Sequence, residues 1–417
     1  MLILLIALPL LTGLAAALPF PSRRGRLTFL LTMQIIETAL VVWTLVSGRS
    51  YATNIWHLTE SLTIAMKLDG VAAVFSVLTA VAWLLALIYS VEYMSHSQNE
   101  ARFYVFLFLS EGMLLGTALS ADFVSMYVFY ELTSLCSMPL VLHELTHDAV
   151  TGAMKYLYYS IGGAFFVLFG IVVLYTNTST LDFAPGGTLI AGQHTGLELL
   201  AVFFVVLGFG TKAGLFPMHT WLPDAHSEAP SPVSALLSGV LLKCAILIVL
   251  RFYILTAANV GATFPQTVMM ILGVLSVCYA AFEVYKQNDL KRKLAYSSCE
   301  NVGLIAVCFG IGGPLGIIAG LVHCVAHGLT KALMFCLSGN VMMKYHTRDL
   351  AKISGIISVA PVTGVLFAAG CLALAGFPPF AMFVSEMFMV LAGVAAEVWW
   401  AVALVLVALV VAIMALV

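Results

Sequence analysis

Charge is what this chain lacks. Only 9% of its 417 residues are Asp, Glu, Lys or Arg and 62% are hydrophobic, whereas a soluble domain carries about a quarter charged residues. That shortage excludes a soluble domain. The longest polar connections, around residues 48–69 and 176–197, are too short to hold one. The formal net charge is −2, so bulk charge selects no partner, and no nucleic-acid partner is expected. Paired cysteines are missing as well. Cys136, Cys244, Cys278, Cys299, Cys308, Cys324, Cys336 and Cys371 lie in or at the ends of apolar runs with no CxxC spacing, which reads as small buried thiols and argues against a cluster or zinc site. No flavin, nucleotide, quinone or cluster motif is present, so no cofactor or metal is expected on this chain. Met1–Leu18 has no basic n-region and is followed by Arg23 and Arg24, so it is expected to remain as a first helix and not to be cleaved.

What the chain has is apolar length. Runs of about 20 residues, enough to cross a bilayer at 1.5 Å per residue, recur from Met1 to Val417, too long for the alternating strands of a barrel. They predict an all-α polytopic membrane protein with about 13 spans, at roughly 1–20, 27–47, 70–90, 103–120, 122–141, 152–175, 198–216, 231–254, 266–285, 295–312, 314–339, 355–395 (interrupted) and 398–417. Arg23, Arg24, Arg26, Arg102, Lys286, Lys291, Arg292, Lys293, Lys344, Arg348 and Lys352 fall in alternate connections, while the other side holds only Arg49 and Lys67. By the positive-inside rule the N-terminus is outside a cytoplasmic (inner) membrane.

Helix breakers sit beside the few charges. Lys212 is flanked by Gly208, Gly210 and Gly214 and closed by Pro217; Pro230, Pro232 and Gly239 precede Lys243. Ile353–Ala395 is about twice a bilayer's length, yet Gly376-Phe377-Pro378-Pro379 leaves little room for a loop. We expect one discontinuous helix there in preference to a tight hairpin, with Glu386 just past the break. No repeat is visible by letter identity. An inverted repeat, one half near 103–254 with Glu131 and Lys212 and the other near 266–395 with Lys331 and Glu386, is expected within a single membrane domain spanning 1–417.

An ionisable residue at bilayer depth costs roughly 3 kcal/mol and marks an ion pathway by default. Glu131, Lys212, Lys243, Lys331 and Glu386 are such residues. Glu131 either stays protonated and merely packed, or pairs with Lys212 so that the separation of the two sets the lysine's proton affinity. His323, His327 and Lys331, spaced by four, share one helical stripe. That stripe is a polar wire of titratable groups, a metal or haem pair lacking a third ligand, or two histidines satisfied by neighbouring helices. Glu300 is an inner-side relay or a carboxylate at a helix N-terminus. Arg251 is expected to snorkel to the outer interface. Glu37 and Glu111 have no obvious partner. Asp224, His226 and Glu228 form an entrance or are solvated loop contacts.

The stretches FGTKAGLFPMHTWLPDAHSEAPSPVSALLSGVLLK, KRKLAYSSCENVG, AHGLTKALMF and GFPPFAMFVSE resemble the antiporter-like membrane subunits of respiratory complex I, multisubunit Na+/H+ antiporters and membrane-bound hydrogenases, most closely the hydrogenase-4 or formate-hydrogenlyase type. The likeness runs from about Arg102 to Glu386. The resemblance implies two inverted five-helix repeats with broken helices, about 14 helices in all, around a hydrated mid-membrane axis. It places Glu131 as the fifth-helix glutamate, Lys212 on the broken seventh helix, Lys243 as the bridging eighth-helix lysine, His327 and Lys331 in the polar eleventh-helix stretch, and Glu386 as the terminal residue on the broken twelfth. Some relatives carry lysine at this last position. The chain stops at VVAIMALV without a polar end, one span short of that helix count.

These readings predict a proton-translocating subunit of a redox-driven complex, with His323 and Glu300 as further relay candidates. Its partners would be further antiporter-like and other membrane subunits, a peripheral redox arm and the lipid bilayer. Iron-sulfur clusters, nickel-iron or flavin would lie on those partners. The alternatives are a subunit of a multisubunit Na+/H+ antiporter, a non-conducting membrane scaffold and, remotely, a haem-binding electron carrier.

Overall fold

The computed structural model describes residues 1–49, 51–57, 59, 63–176, 180–184, 189–190 and 192–416. They fall into two compact units, Met1–Phe209 with Leu247–Ala262, and Gly210–Ile246 with Thr263–Val417.

The first unit contains α1 (Leu2–Ala16), α2 (Arg23–Val46), strands β1 (Ala52–His57) and β2 (Thr63–Lys67), α3 (Gly70–Tyr93), α4 (Glu100–Leu119), α5 (Phe123–Val141), α6 (His147–Tyr175) and most of α7 (Gly196–Ala213). Polar residues just outside the apolar runs start these helices. Ser22, Asp69, Asp122 and Thr146 each accept a hydrogen bond from the backbone N–H three residues on, at 2.7–3.1 Å, worth about 1 kcal/mol per cap. Small residues then let helices approach: a Cβ at Gly13 would lie 2.9 Å from the Val105 carbonyl, which seats α1 on α4. The β1–β2 hairpin is an exception to the all-helical expectation. Ala121 N donates to Ala65 O at 2.9 Å, so the hairpin sits on the α4–α5 turn.

Arg251 departs from the snorkelling expectation. It is 4% exposed and donates to Ser120 O at 2.9 Å, Ala118 O at 3.2 Å and Asp69 Oδ1 at 3.0 Å. The free carbonyls at the end of α4 and the capping carboxylate of α3 supply acceptors locally, so the guanidinium does not need to reach water.

The second unit continues with α8 (Trp221–Glu228), α9 (Ser231–Leu236), a π turn at Leu237–Leu241, α10 (Leu242–Val260, of which the part to Ile246 belongs here), α11 (Thr263–Lys286), α12 (Leu290–Ile311) and α13 (Gly313–Tyr345). It ends with α14 (Ile356–Val359), α15 (Pro361–Leu374), α16 (Ala381–Ala395) and α17 (Trp399–Leu416). Gly273 and Gly303 bring α11 against α12, because a Cβ on Gly273 would stand 2.8 Å from Gly303 O. Helix α12 begins with Asp289 accepting from Arg292 N at 2.9 Å, well before Glu300. The helix-terminus reading of Glu300 is therefore overturned: it lies in the middle of α12.

The Ile353–Ala395 stretch is a broken helix. Gly370 on α15 lies against Met334 on α13, Ser385 on α16 bonds His323, and Met389 shares a buried cluster with Ala319. Going forward along α15 and α16 therefore runs steadily back along α13, which a hairpin would not do. Among the described residues eleven helices are long and apolar enough to cross a membrane, and α1 with the two halves α15 and α16 completes the set expected from length.

Candidate functional site

Lys243, Glu300, His323, His327, Lys331 and Glu386 converge in the second unit. Lys243 and Lys331 are 0% exposed, and each ammonium is held by oxygen. Lys331 Nζ donates to Leu294 O at 2.8 Å and to Ser297 Oγ; Lys243 Nζ donates to Ser238 O. Ser238 belongs to the π turn, a wider backbone turn of the kind that recurs at functional sites. Its hydroxyl pairs with Ser298 Oγ at 2.7 Å and ties that turn to α12.

From Lys331 the polar contacts continue through Ser297, whose hydroxyl meets Lys331 and whose backbone carbonyl meets Asn301. Ser297 O accepts from Asn301 Nδ2 at 2.7 Å, Asn301 Oδ1 lies 3.0 Å from His323 Nε2, and His323 Nδ1 lies 2.8 Å from Ser385 Oγ, next to Glu386 in the chain. The run passes from α13 to α12, back to α13, and on to α16. His327 stacks on His323 with ring centroids 6.1 Å apart and lies in the field of both Lys243 and Lys331. Glu300 is within electrostatic reach of Lys331 and Glu386. Glu386 folds back onto the break, where a Cβ at Gly376 would collide with its carboxylate.

The other expected residues are placed differently. Lys212, 3% exposed, occupies the last turn of α7, whose C-terminal carbonyls favour a cation. Gly214, at φ +79°, ends that helix, and Trp221 Nε1 donates to Thr211 O at 2.8 Å across the interruption before α8. Glu131 is half-buried midway along α5 in the first unit, and its charge acts on Tyr127 and Tyr156. Asp224 and Glu228 are not loose loop contacts. Arg292 pairs with Asp224 at 2.8 Å, and Arg348 bridges Glu228 and Asp289 at 2.9 Å each. His226 is buried and stacks on Phe335 at 5.1 Å, with Lys331, Lys291 and Lys243 acting on it.

Sequence reasoning missed the neutral members of the run: Ser238, Ser297, Asn301 and Ser385. Ser297 and Asn301 stand four apart on α12, so both project toward α13, a spacing that could have drawn notice. It also missed Lys291, which is buried and donates to Ala229 O at 2.6 Å, and which the run of basic residues disguises as a solvated end. Among the described residues no group of three or more His, Cys, Asp or Glu is placed to hold a metal ion. Both ring nitrogens of His323 are engaged by Ser385 and Asn301, whereas those of His327 are buried with no hydrogen-bond partner among the described residues, so only the first histidine of the HxxxH pair is held in the run of polar contacts.

Residues 120–412 match the transmembrane family described as NADH:quinone oxidoreductase/Mrp antiporter, and residues 56–104 match the N-terminal family of complex I chain 5. The chain belongs to the NADH:quinone oxidoreductase/Mrp antiporter family. Within this family it is 36% identical over 342 residues to a hydrogenase-4 component F homolog of Methylacidiphilum infernorum, covering 78% of this chain and 71% of that one. It is 30% identical over 408 residues to NADH-quinone oxidoreductase subunit N of Desulforudis audaxviator, covering 95% and 81%. Among solved structures it superposes with a TM-score of 0.91 at 25% identity on a chain of the archaeal membrane-bound sulfane sulfur reductase, a respiratory membrane complex, covering 99% of this chain and 86% of that one. The protein is thus an antiporter-like, multi-span membrane subunit, as its motifs led us to expect.

Proposed function

We propose that this subunit carries protons across a cytoplasmic membrane as part of a hydrogenase-like or complex I-like respiratory assembly. The observation that supports this most is the alignment of buried polar groups Lys331, Ser297, Asn301, His323 and Ser385, the last next to Glu386 in the chain, inside helices that are otherwise apolar. Buried lysine, histidine and carboxyl groups can each take up and release a proton, and the Ser297, Asn301 and Ser385 groups between them orient those carriers.

A proton enters from the cytoplasmic side near Lys212, is held by Lys243 and the Lys331–His327 region, and leaves outward by Glu386. Glu300 joins Lys331 to Glu386, and His323 relays between Asn301 and Ser385. Glu131 sets the proton affinity of Lys212, a coupling that is tested by non-additivity of Glu131→Gln and Lys212→Ala. The basic connections face the cytoplasm and the N-terminus faces out. Other antiporter-like subunits and a peripheral redox arm complete the assembly, and the iron-sulfur, nickel-iron or flavin chemistry belongs to those chains.

The deciding experiment is redox-driven proton uptake by inverted vesicles containing the intact assembly with Lys212→Ala or Lys331→Ala. A fall of about tenfold or more, some 1.4 kcal/mol on the limiting barrier, is expected in each. Undiminished uptake in both variants overturns the reading. The family also includes Mrp antiporters; uptake that requires a Na+ gradient in place of electron flow assigns the chain to that alternative.

A further inference from the structure

A second set of buried acids lies in the first unit, apart from the groups just described. Glu37 on α2 is 2% exposed, and Gln34 on α2 and Glu111 on α4 are 0% exposed. Gln34 Nε2 donates to Glu111 Oε1 at 2.6 Å. Four acceptor atoms around this bond, Gln34 Oε1, Glu111 Oε2 and both carboxyl oxygens of Glu37, are buried with no hydrogen-bond partner among the described residues. Glu37 lies within electrostatic reach of Glu111. Helices α1, α3 and α5 pack around α2 and α4, yet among the described residues no other charged or titratable group acts on either carboxyl.

What this cluster lacks is hydrogen. Two ionised carboxylates side by side in an apolar span repel each other and are poorly solvated, so at least one must be neutralised. Among the described residues no basic side chain provides the countercharge. A hard metal cation gathers about six or more oxygens, whereas four free acceptor atoms are present. A proton needs only one carboxylate oxygen to bond and one acceptor to receive the resulting O–H.

We propose that Gln34, Glu37 and Glu111 form a proton-binding site in which the two carboxyls hold one exchangeable proton, with the Gln34 amide fixing the orientation of Glu111. On loading, a hydronium ion gives its proton to one carboxylate oxygen and leaves water; unloading is the reverse. The site does not rest on the lysine and histidine path of the second unit.

Infrared difference spectra between high and low pH, taken in light and heavy water on the intact membrane assembly, test this. The expected result is a carboxylic-acid band, distinct from those of Glu300 and Glu386 by its response to the Glu37 and Glu111 variants, that moves in heavy water and is unaffected by Na+. Glu37→Gln and Glu111→Gln should each shift the band in frequency and in titration, because the remaining carboxyl then holds its proton without the second carboxylate. Gln34→Met should keep the band and move its titration to higher pH, since the carboxylate loses a hydrogen-bond donor. The measurement on the unaltered protein needs no variant: no exchangeable band in it, or a band that Na+ displaces, overturns the proposal. A band unchanged in frequency and titration in either glutamine variant does so as well. A persisting band in Lys331→Ala vesicles that no longer pump leaves this site standing while the second unit's path is disabled.

Discussion

Ser385 Oγ stands 2.8 Å from His323 Nδ1 and 2.8 Å from the carbonyl oxygen of Met382. One hydroxyl carries one hydrogen, so it serves only one of them at a time. On the far side of the ring, Asn301 Nδ2 is committed to Ser297 O, which leaves Asn301 Oδ1 to accept from His323 Nε2. A neutral His323 therefore takes the Ser385 hydrogen at Nδ1. A charged His323 donates from Nδ1 to Ser385 Oγ, and the hydroxyl turns to Met382. The imidazole can load and unload with no heavy atom moving.

Removing that hydroxyl should stall the relay. Ser385→Ala is expected to lower redox-driven proton uptake by about tenfold, equivalent to roughly 1.4 kcal/mol on the barrier, with the assembly intact in native gels. Ser385→Thr retains an oxygen at the same place and should keep most of the activity. Equal rates in the alanine and threonine variants would remove Ser385 from the path.

Arg251 is a structural clasp, and its loss should register as stability. Arg251→Met leaves the Ser120 and Ala118 carbonyls and the Asp69 carboxylate without their donor. Breaking a buried charge pair on one side costs about 3–5 kcal/mol; with Asp69 a third exposed, a loss near 2 kcal/mol is expected after solvent screening. Thermal unfolding in detergent measures it. A snorkelling arginine would change stability by no more than about 0.5 kcal/mol.

Acid should weaken the packing at His143, which lies between α5 and α6, outside the spans. Burial, followed by the neighbouring Arg102 guanidinium, pushes the imidazole down to about 4. Its Nε2 is 2.9 Å from Ser97 Oγ, and its buried Nδ1 has no partner among the described residues to receive a second proton. An unfolded histidine takes up a proton below about 6.5. The unfolded state therefore binds more protons between about 6.5 and 4, and the stability contributed by neutral His143 is present above 6.5 and lost progressively as pH falls through that window. The loss is of order 2–3 kcal/mol. His143→Gln should flatten the melting temperature over this range; an unchanged slope would exclude His143 as its source.

The helical architecture was legible because bilayer thickness fixes the length of an apolar run, and broken backbone announces itself through Gly376 and the two prolines after it. The charged members of the path were legible for a related reason: Lys243 and Lys331 stand out in spans where lysine is costly. Ser297, Asn301 and Ser385 cost little and look like any small polar residue on a helix face, so only the packing of α12, α13 and α16 reveals that they link one charge to the next. Glu37 and Glu111 were visible as charges but not as neighbours, because they lie on α2 and α4 and only packing brings them together. Arg251 misled because a long side chain near a span's end usually reaches water, and sequence does not show that α4 ends beside it.

Gly376 separates strain from function. At φ +65° it occupies a conformation that a side chain resists, as Gly355 does at φ +64°. Replacing either by alanine should cost about 1 kcal/mol for the backbone alone. Their surroundings differ. A Cβ on Gly355 meets nothing within 4 Å, whereas one on Gly376 runs into the Glu386 carboxyl. Gly355→Ala is therefore expected to lower the melting temperature slightly and leave proton uptake unchanged. Gly376→Ala should produce a similar thermal loss together with a several-fold drop in uptake, because Glu386 must swing away from the break and from Glu300. If the two variants show equal uptake, the position of the Glu386 carboxyl against the broken helix does not matter to transport.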